Sequence, residues 1–332
     1  MSQGNGPGLH NGVNGMDAAK ELLIEAGLTS EQEGECVRVV SKRVAKKIIA
    51  IEAVRQAREE GKQELLYNAR PFVLCGLPVR RPKKGTLLHV RRNGKYFLRV
   101  AGDPEFGLPF GQDRLIPLWV ATLAIRQKSR VVQFDAAAEL LETFGLAKDG
   151  RAYRRLVDGF KRIFASTIFF GTEEQLKKAV VWEWSRFHFF DTLQVWYTQG
   201  VNQRTFADDQ FRNTIVLSEV FWNDLQEHPI PLDLGVIRAF ANSPGLLDFY
   251  MWLAWRCWRV VEVERVPLFG NGGLSNQLGI ESGQGRSKFR QIVRRWLDSL
   301  RAVWGACPAE ISDDGNFLIL KNLITIEPHR SS

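Results

Sequence analysis

Two long stretches of the sequence carry apolar residues at helical spacing, at residues 151–165 and 285–304, which predicts two amphipathic helices. The apolar positions are Tyr153, Leu156, Val157, Phe160, Ile163 and Phe164 in the first stretch, and Phe289, Ile292, Val293, Trp296, Leu297, Leu300, Val303 and Trp304 in the second. An apolar stripe of this kind stabilises a helix only when it packs against other elements. The chain must therefore supply a scaffold for each helix.

The first of these helices stands third in a series of predicted elements. Residues 112–126 and 135–144 are predicted to be helical, with Asp135 as an N-cap. After the helix, strands of a hairpin are predicted at residues 167–170 and 179–196. Three helices followed by a hairpin is the order of a winged-helix domain.

The C-terminal part of the chain repeats this order. Helices are predicted at residues 218–226, 232–240, 245–260 and 275–280, ahead of the second long helix. Its hairpin is predicted around Asp-Asp-Gly-Asn at residues 313–316, a sequence that favours a tight turn. We therefore predict an α+β, mainly helical fold with two tandem winged-helix domains, at residues 67–215 and 216–328, and an additional N-terminal helix.

The N-terminal region is predicted to be separate from these domains. Residues 1–29 begin with a Gly- and Asn-rich stretch and predict a disordered tail followed by a short helix. Residues 30–66 lack proline and carry Val and Ile at helical spacing, which predicts a long helix capped by Ser30. The apolar stripe of this helix covers the domain behind it or forms a dimerising coil, and the short heptad pattern favours the first interpretation.

One hairpin is predicted between these regions. The dipeptide Asn93-Gly94 lies between two β-rich runs at residues 86–90 and 96–100. Asn-Gly between such runs is a strong local signal for a two-residue turn.

The charge balance favours a polyanionic partner. The chain has 45 Lys and Arg against 37 Asp and Glu, a net charge of +8. Nucleic acid is the leading partner on this basis and a membrane surface the second, although many basic proteins bind neither. The four cysteines show no metal-binding spacing, and no segment predicts a signal peptide or a membrane span, so we expect reduced thiols in a cytoplasmic protein.

The polar face of each long helix is basic. The cationic and amide positions on these faces are Arg151, Arg154, Arg155 and Arg162 in the first helix, and Arg286, Lys288, Arg290, Gln291, Arg294 and Arg295 in the second. A DNA recognition helix needs this division, because one side packs on its scaffold while the other reaches phosphates and base edges. A solvated basic surface is the alternative for either helix alone, and the occurrence of two such helices in the same position of the element order disfavours it.

Signatures of an enzyme are scarce. His188 stands alone between aromatic residues, so the His-x-His metal site of a nicking enzyme is missing from this sequence. The glycine-rich stretch at residues 270–273 lacks the Lys and Ser or Thr of a phosphate-binding loop. The pairs Asp208-Asp209 and Asp313-Asp314 favour turns over a magnesium site. We expect a protein that is not an enzyme and needs no cofactor or metal.

Several segments resemble the plasmid-encoded RepA family of replication initiators. They are Gly-Leu-Pro-Phe-Gly at residues 107–111, Arg-Leu-Ile-Pro-Leu-Trp at residues 114–119, Ile-Arg-Gln-Lys-Ser-Arg at residues 125–130, Phe-Gly-Leu at residues 144–146 and Phe-Lys-Arg-Ile-Phe at residues 160–164. The resemblance covers roughly residues 70–325. The helix at residues 30–66 has no counterpart in it.

The resemblance implies an initiator that binds directly repeated origin DNA, the iterons, and helps to open the duplex. It also implies host partners, an initiator protein and the replicative helicase, and a homodimer alongside the origin-binding monomer. The implied DNA-binding residues are Arg151, Arg154, Arg155, Lys161 and Arg162, together with Arg286, Ser287, Lys288, Arg290, Gln291 and Arg294. A winged-helix transcriptional repressor that binds an operator near its own promoter is the alternative, and a basic protein without sequence specificity is a third.

Overall fold

The computed structural model of the protein describes residues 42–175, 180–194, 213–270, 272–279 and 285–322. The chain divides into two compact units, Met1–Lys62 and Gln63–Ser332. Helix α1 (Lys42–Glu59) lies in the first unit and ends just before Gly61, whose φ of +66° is a left-handed conformation that glycine adopts without steric cost. The helix predicted at residues 30–66 therefore stops short of Leu66. The predicted tail at residues 1–29 and the cap at Ser30 lie outside the described residues.

The second unit has a mixed α and β fold. The helices in its described part are α2 (Arg70–Leu74), α3 (Leu115–Gln127), α4 (Ala138–Thr143), α5 (Gly150–Ala165), α6 (Glu219–Glu227), α7 (Leu234–Phe240), α8 (Pro244–Arg259), α9 (Leu274–Gln277) and α10 (Arg286–Val303). The strands are β1 (Leu65–Asn68), β2 (Leu88–Asn93), β3 (Tyr96–Ala101), β4 (Val131–Phe134), β5 (Thr167–Gln175), β6 (Val180–His188), β7 (Phe190–Gln194), β8 (Asn213–Leu217), β9 (Ile230–Asp233), β10 (Val263–Pro267), β11 (Ala309–Ile311) and β12 (Phe317–Lys321). A 3₁₀ turn (Gly111–Arg114) leads into α3.

Two segments of this unit share one connectivity. In the first segment, α3, β4, α4 and α5 are followed by β7 and β8, and the strands form an antiparallel sheet in the order β4-β8-β7. In the second segment, α8, β10, α9 and α10 are followed by β11 and β12, and the sheet order is β10-β12-β11. The last strand lies in the centre of both sheets. Each long amphipathic helix therefore occupies the same place in its segment.

The remaining strands of the first segment form a separate antiparallel sheet in the order β2-β3-β5-β6. The hairpin predicted at Asn93-Gly94 is confirmed, with Asn93 opposite Tyr96 and Gly94 at a φ of +59°. The hairpin predicted after the first long helix also forms, as β5 and β6. It extends the sheet of β2 and β3, so the strands that complete the three-stranded sheet are the later β7 and β8.

Several predicted boundaries need correction. Asp135 is not an N-cap, because α4 begins after Ala137 and the backbone N–H groups of Asp135 and Ala136 donate to Glu139 Oε1. Leu232 lies in a strand rather than a helix, since β9 pairs with β1. The predicted domain boundary at residues 215 and 216 falls inside β8, the central strand of the first sheet.

Helix α8 forms the core of the second segment. Most of its apolar side chains are buried, and two of its aromatic residues form internal hydrogen bonds. The Tyr250 hydroxyl accepts a hydrogen bond from Asp233 N at 3.0 Å, and Trp252 Nε1 donates to Gln277 Oε1 at 2.9 Å. In the residues that the structure describes, no helix combines the length and apolar character needed to cross a bilayer.

Candidate nucleic-acid interface

Helix α5 separates an apolar side from a basic side, as predicted. Asp149 caps its N-terminus by accepting a hydrogen bond from Ala152 N at 2.7 Å. This hydrogen bond lowers the pKa of Asp149, and the charges of Arg155 and Arg151 lower it further. The buried side chains include Ala152, Leu156, Phe160 and Ile163. The exposed arc carries Arg151, Arg154, Arg155, Asp158 and Lys161.

Three predicted contacts lie together at the N-terminal half of α5. Arg151, Arg154 and Arg155 are exposed, and none of them forms an ion pair with a residue in the described part of the chain. Lys161 is exposed too, and its ammonium group lies 5.8 Å from the centre of the Phe106 ring. These four cations are exposed, and none forms an ion pair within the described part of the chain.

Arg162 has a different environment. Its side chain is 15% exposed, and its guanidinium donates to both oxygens of Asp113, at 2.7 Å and 2.9 Å. The same guanidinium lies 4.7 Å from the centre of the Phe110 ring. A bidentate pair with a carboxylate occupies the donors that a phosphate would need. The structure therefore places Arg162 in the packing between α5 and the 3₁₀ turn, away from the exposed arc.

Helix α10 also presents a basic face opposite its buried stripe. The buried residues are Phe289, Val293, Leu297, Leu300 and Val303. The exposed residues include the predicted contacts Arg286, Ser287, Lys288, Gln291 and Arg294, and also Arg295. Arg286 lies over the ring of Phe269, at 5.4 Å from its centre. The N-terminal end of this face is thus supported on the scaffold, and the other predicted contacts named above are exposed.

Arg290 connects α10 to the turn between β11 and β12. Its Nε donates to Gly315 O at 2.6 Å, and its Nη2 donates to Asn316 Oδ1 at 3.0 Å. Within the turn, Asp314 Oδ1 accepts hydrogen bonds from the Ser312 hydroxyl and from Asn316 N. The Ser312 hydrogen bond is the main reason that the pKa of Asp314 is lowered. Arg290 therefore holds the hairpin against the helix, a role that its spacing alone did not predict.

A buried ion pair joins the first segment to the second. Arg114 follows Asp113 in the 3₁₀ turn, and its guanidinium contacts the carboxylate of Asp248 on α8 with both side chains almost fully buried. Its Nη2 also donates to Leu77 O at 2.9 Å and Pro78 O at 3.0 Å. Burial raises the pKa of Asp248 to about 6, against the opposing effect of Arg114.

The residues next to this ion pair in the sequence contact both basic helices. Asp113 binds Arg162 of α5, while Phe249, next to Asp248, stacks on Trp296 of α10 with ring centres 5.4 Å apart. Close approach of the backbone makes this packing tight, because a Cβ on Gly159 would lie 2.7 Å from Asp113 Oδ1. Sequence reasoning missed this junction because its partners are far apart in the chain.

No group of three His, Cys, Asp or Glu side chains is arranged as a metal site in the described ranges. The acidic pair at residues 313–314 belongs to the β11–β12 turn, and the pair at residues 208–209 lies outside the described residues. The chemistry of this surface is that of cationic and amide donors on two helices.

The fold and this surface define a mixed α and β protein with two exposed basic helices in equivalent positions. A family model described as Plasmid encoded RepA protein matches residues 154–266, from within α5 to within β10. The resemblance to the plasmid-encoded RepA family is confirmed over that segment. No curated protein matches the chain.

Two solved structures are similar to this chain. A crystal structure of domains 2 and 3 of RctB matches with a TM-score of 0.48 and 12% identity, over 74% of this chain and 95% of that chain. A crystal structure of selenomethionine derivatives of the same two domains matches with a TM-score of 0.45 and 14% identity, over 74% of this chain and 94% of that chain.

Proposed function

We propose that this protein is a plasmid replication initiator that binds origin DNA through two winged-helix units. The supporting observation is that α5 and α10 stand in the same position of the same connectivity, each with an apolar stripe buried and a cationic face exposed. A solvated basic face occurs often on one helix, but a matched pair within a repeated segment favours a shared ligand. The match of residues 154–266 to the RepA family model supports the same conclusion.

In this mechanism α5 and α10 are recognition helices in two major grooves of one duplex. The exposed arginines of each helix bind phosphates or guanine edges, while Gln291 has the donor and acceptor pair that suits adenine. Two such helices on one side of B-DNA, one turn apart, would cover about 20 base pairs. This length suits one directly repeated iteron for each protomer.

Origin opening would follow from strain in the bound DNA. Bending a duplex costs least at flexible steps, so an adjacent A·T-rich stretch would unpair first when several protomers bind in tandem. The host initiator and the replicative helicase would then bind at the opened strands. These steps need no catalytic group on the protein.

The first experiment is fluorescence anisotropy of the purified chain with the DNA that flanks its gene, against a scrambled duplex, over a salt series. We expect a preference of at least about a thousandfold for the native duplex near physiological salt, and Arg294→Ala should narrow this ratio. Arg259→Ala, an exposed arginine at the end of α8, is the matched control and should leave the ratio unchanged.

The outcomes separate the candidate functions. If both duplexes bind equally and both are released together as salt rises, the two basic faces bind DNA by charge alone, without sequence preference. This result would overturn the proposal. Footprints over several tandem direct repeats support an initiator, whereas a single footprint over one inverted repeat supports the repressor.

A further inference from the structure

A second basic region lies outside both long helices. Residues 65–102 contain nine Lys and Arg and no Asp or Glu. Four of these cations, Arg80, Arg81, Lys83 and Lys84, fall within the loop at residues 79–85 that precedes β2. We call this segment the cationic loop. It is the densest run of positive charge in the described part of this unit.

The four cations of the cationic loop face solvent. All four are exposed, and none forms an ion pair with a residue that the structure describes. Other cations nearby are already paired, since Arg70 contacts Asp224 at 2.6 Å and Arg92 contacts Glu173 at 2.8 Å. The positive charge of the loop is therefore not neutralised by an ion pair with any residue that the structure describes.

The two ends of the cationic loop are held in place. At its start, Pro78 O accepts hydrogen bonds from Gly111 N at 2.9 Å and from Arg114 Nη2 at 3.0 Å. At its end, Thr86 N donates to Lys83 O at 3.0 Å across a turn in which Gly85 has a φ of +83°. A charged loop with fixed ends loses less conformational entropy on binding than a flexible tail does.

The start of the cationic loop lies between the scaffolds of the two basic helices. On one side Gly111 follows Phe110, whose ring packs under Arg162 of α5. On the other side Val79 Cγ1 and Trp296 Cζ2 of α10 both border Gly245, lying 3.7 Å and 3.1 Å from the position of a Cβ on that residue. Arg80 and Arg81 therefore directly follow a residue, Val79, that lies close to the middle of α10 and to the junction between the two segments.

We propose that the cationic loop is a third DNA contact, which binds backbone phosphates of the duplex between the grooves that α5 and α10 occupy. This inference rests on the proposed function, because it assumes that both helices bind one duplex. The loop itself contains no Asn, Gln or aromatic residue, and Lys and Arg that lie against the DNA backbone neutralise phosphates without reading bases. The loop would thus add affinity and fix the position of the duplex, but would not add sequence preference.

The test compares two loop variants with a matched control. Arg80→Gln/Arg81→Gln and Lys83→Gln/Lys84→Gln each remove two exposed charges from the loop. Arg126→Gln/Lys128→Gln removes two exposed charges, one of them paired with Glu64, at the C-terminal end of α3, 12 and 14 positions after Arg114. At about 1.5 Å per residue this distance is roughly 20 Å, so the control lies well away from the loop.

The measurement is the dependence of binding on salt, by anisotropy, with a duplex of about 40 base pairs that the wild-type chain selects from a random-sequence library. A protein that loses two phosphate contacts should show a slope of log K against log salt that is lower by about 2. We expect this loss in each loop variant and no change in the control. The ratio of binding to selected and random duplexes should stay within about twofold of wild type in all three variants.

This inference is overturned if wild type binds the selected duplex and a loop variant shows the same salt slope as the control variant. In that case the proposed function stands and the loop has no part in it. If wild type binds no duplex at all, the proposed function and the loop contact fail together. A loop variant that loses sequence preference along with affinity would also contradict a contact restricted to phosphates. Thermal unfolding of each variant by circular dichroism establishes that all of them are folded.

Discussion

Helices α5 and α10 each present exposed arginines, yet each also commits one arginine of its predicted basic face to internal packing. In α5 the internal arginine is Arg162, near the C-terminal end, and its partner is the carboxylate of Asp113. In α10 it is Arg290, near the N-terminal end, and its partners are Gly315 O and the Asn316 side chain. The comparison shows that a basic face is available to a ligand only where no acceptor from another element meets it.

The internal partners also differ in what they connect. Asp113 ties α5 to the junction between the two segments, because the next residue, Arg114, binds Asp248 of α8. Gly315 and Asn316 tie α10 to its own hairpin. The first helix is thus held relative to the other segment, and the second is held within its own segment. The following variants test this difference.

The largest effect is expected from Arg114→Met. Removal of this guanidinium leaves the carboxylate of Asp248 and the carbonyl of Leu77 buried without its hydrogen bonds, whereas Pro78 O keeps its hydrogen bond from Gly111 N. Breaking a buried pair in this way should lower the free energy of unfolding by about 3–5 kcal/mol. Urea unfolding followed by circular dichroism measures the loss.

The control for this prediction is Arg126→Met, which removes the exposed pair between Arg126 and Glu64. A surface pair contributes at most about 1 kcal/mol, so this variant should unfold almost as wild type does. Similar losses in the two variants would show that the junction is no more important to stability than a surface contact.

The second prediction compares Arg162→Met with Arg154→Met, which remove the same charge from the same helix. Without Arg162, Asp113 keeps the N–H of Phe110 as its one donor among the residues that the structure describes, and the free energy of unfolding should fall by about 2–3 kcal/mol. Arg154 is exposed, so its removal should change the free energy by no more than about 0.5 kcal/mol.

DNA binding should show the reverse order. Arg154→Met should weaken binding to the selected duplex, whereas Arg162→Met should retain it at temperatures where the variant is folded. Anisotropy on both variants measures this, beside unfolding curves from the same preparations. If Arg162→Met loses binding while its stability is unchanged, the ion pair with Asp113 is not the role of this residue.

These pairs also show how much of the molecule its sequence can predict. Local periodicity predicted the apolar stripes of both long helices, and Asn93-Gly94 predicted the first hairpin, because each signal lies within a few residues. Local periodicity did not predict which arginines have internal partners. Arg162 meets a residue 49 positions earlier, and Arg114 meets one 134 positions later. Periodicity identifies the face on which a charge lies, but not the distant acceptor that the fold brings to it.

The third prediction concerns acid stability at the junction, where Gly76 contacts two titrating groups. A Cβ on this glycine would lie 2.4 Å from Asp248 Oδ2, and its carbonyl lies 3.0 Å from His89 Nε2. Burial raises the pKa of Asp248 from 3.8 to about 6. Burial lowers the pKa of His89 from 6.5 to about 4, and the charge of Arg91 lowers it further.

The two shifts have opposite consequences for stability. Folded Asp248 holds its proton more tightly than the unfolded chain does, so its contribution to stability falls as pH rises from about 4 to about 6. Folded His89 resists protonation, so its contribution rises as pH rises from about 4 to about 6.5. The two largely cancel in the wild-type chain.

Single variants should expose each contribution. In Asp248→Asn the free energy of unfolding should rise more steeply with pH over this window than in wild type, and in His89→Gln it should fall. Each shift is a little over 2 pKa units and the two have opposite signs, so the profiles of the two variants should diverge by several kcal/mol across the window. Urea unfolding at steps of pH measures it, and parallel profiles for the two variants would contradict the assignment of these groups.

Among the variants that remove an internal contact, the smallest effect on stability is expected in α10, from Arg290→Ala. Loss of its hydrogen bonds to Gly315 O and Asn316 Oδ1 should lower the free energy of unfolding by about 1–2 kcal/mol, because the hairpin keeps its own Asp314 hydrogen bonds. Arg294→Ala should leave stability within about 0.5 kcal/mol of wild type and instead weaken binding to the selected duplex.

Arg290→Lys separates the effect of geometry from the effect of charge at position 290. A lysine retains the positive charge but not the planar fork that reaches two acceptors, so the loss of stability should persist. If Arg290→Lys restores stability fully, charge alone is sufficient at this position, and Arg290 and Arg294 belong to one electrostatic face. If the loss persists while DNA binding is largely retained, α10 uses Arg290 to hold its hairpin and Arg294 to meet the duplex, as α5 uses Arg162 and Arg154.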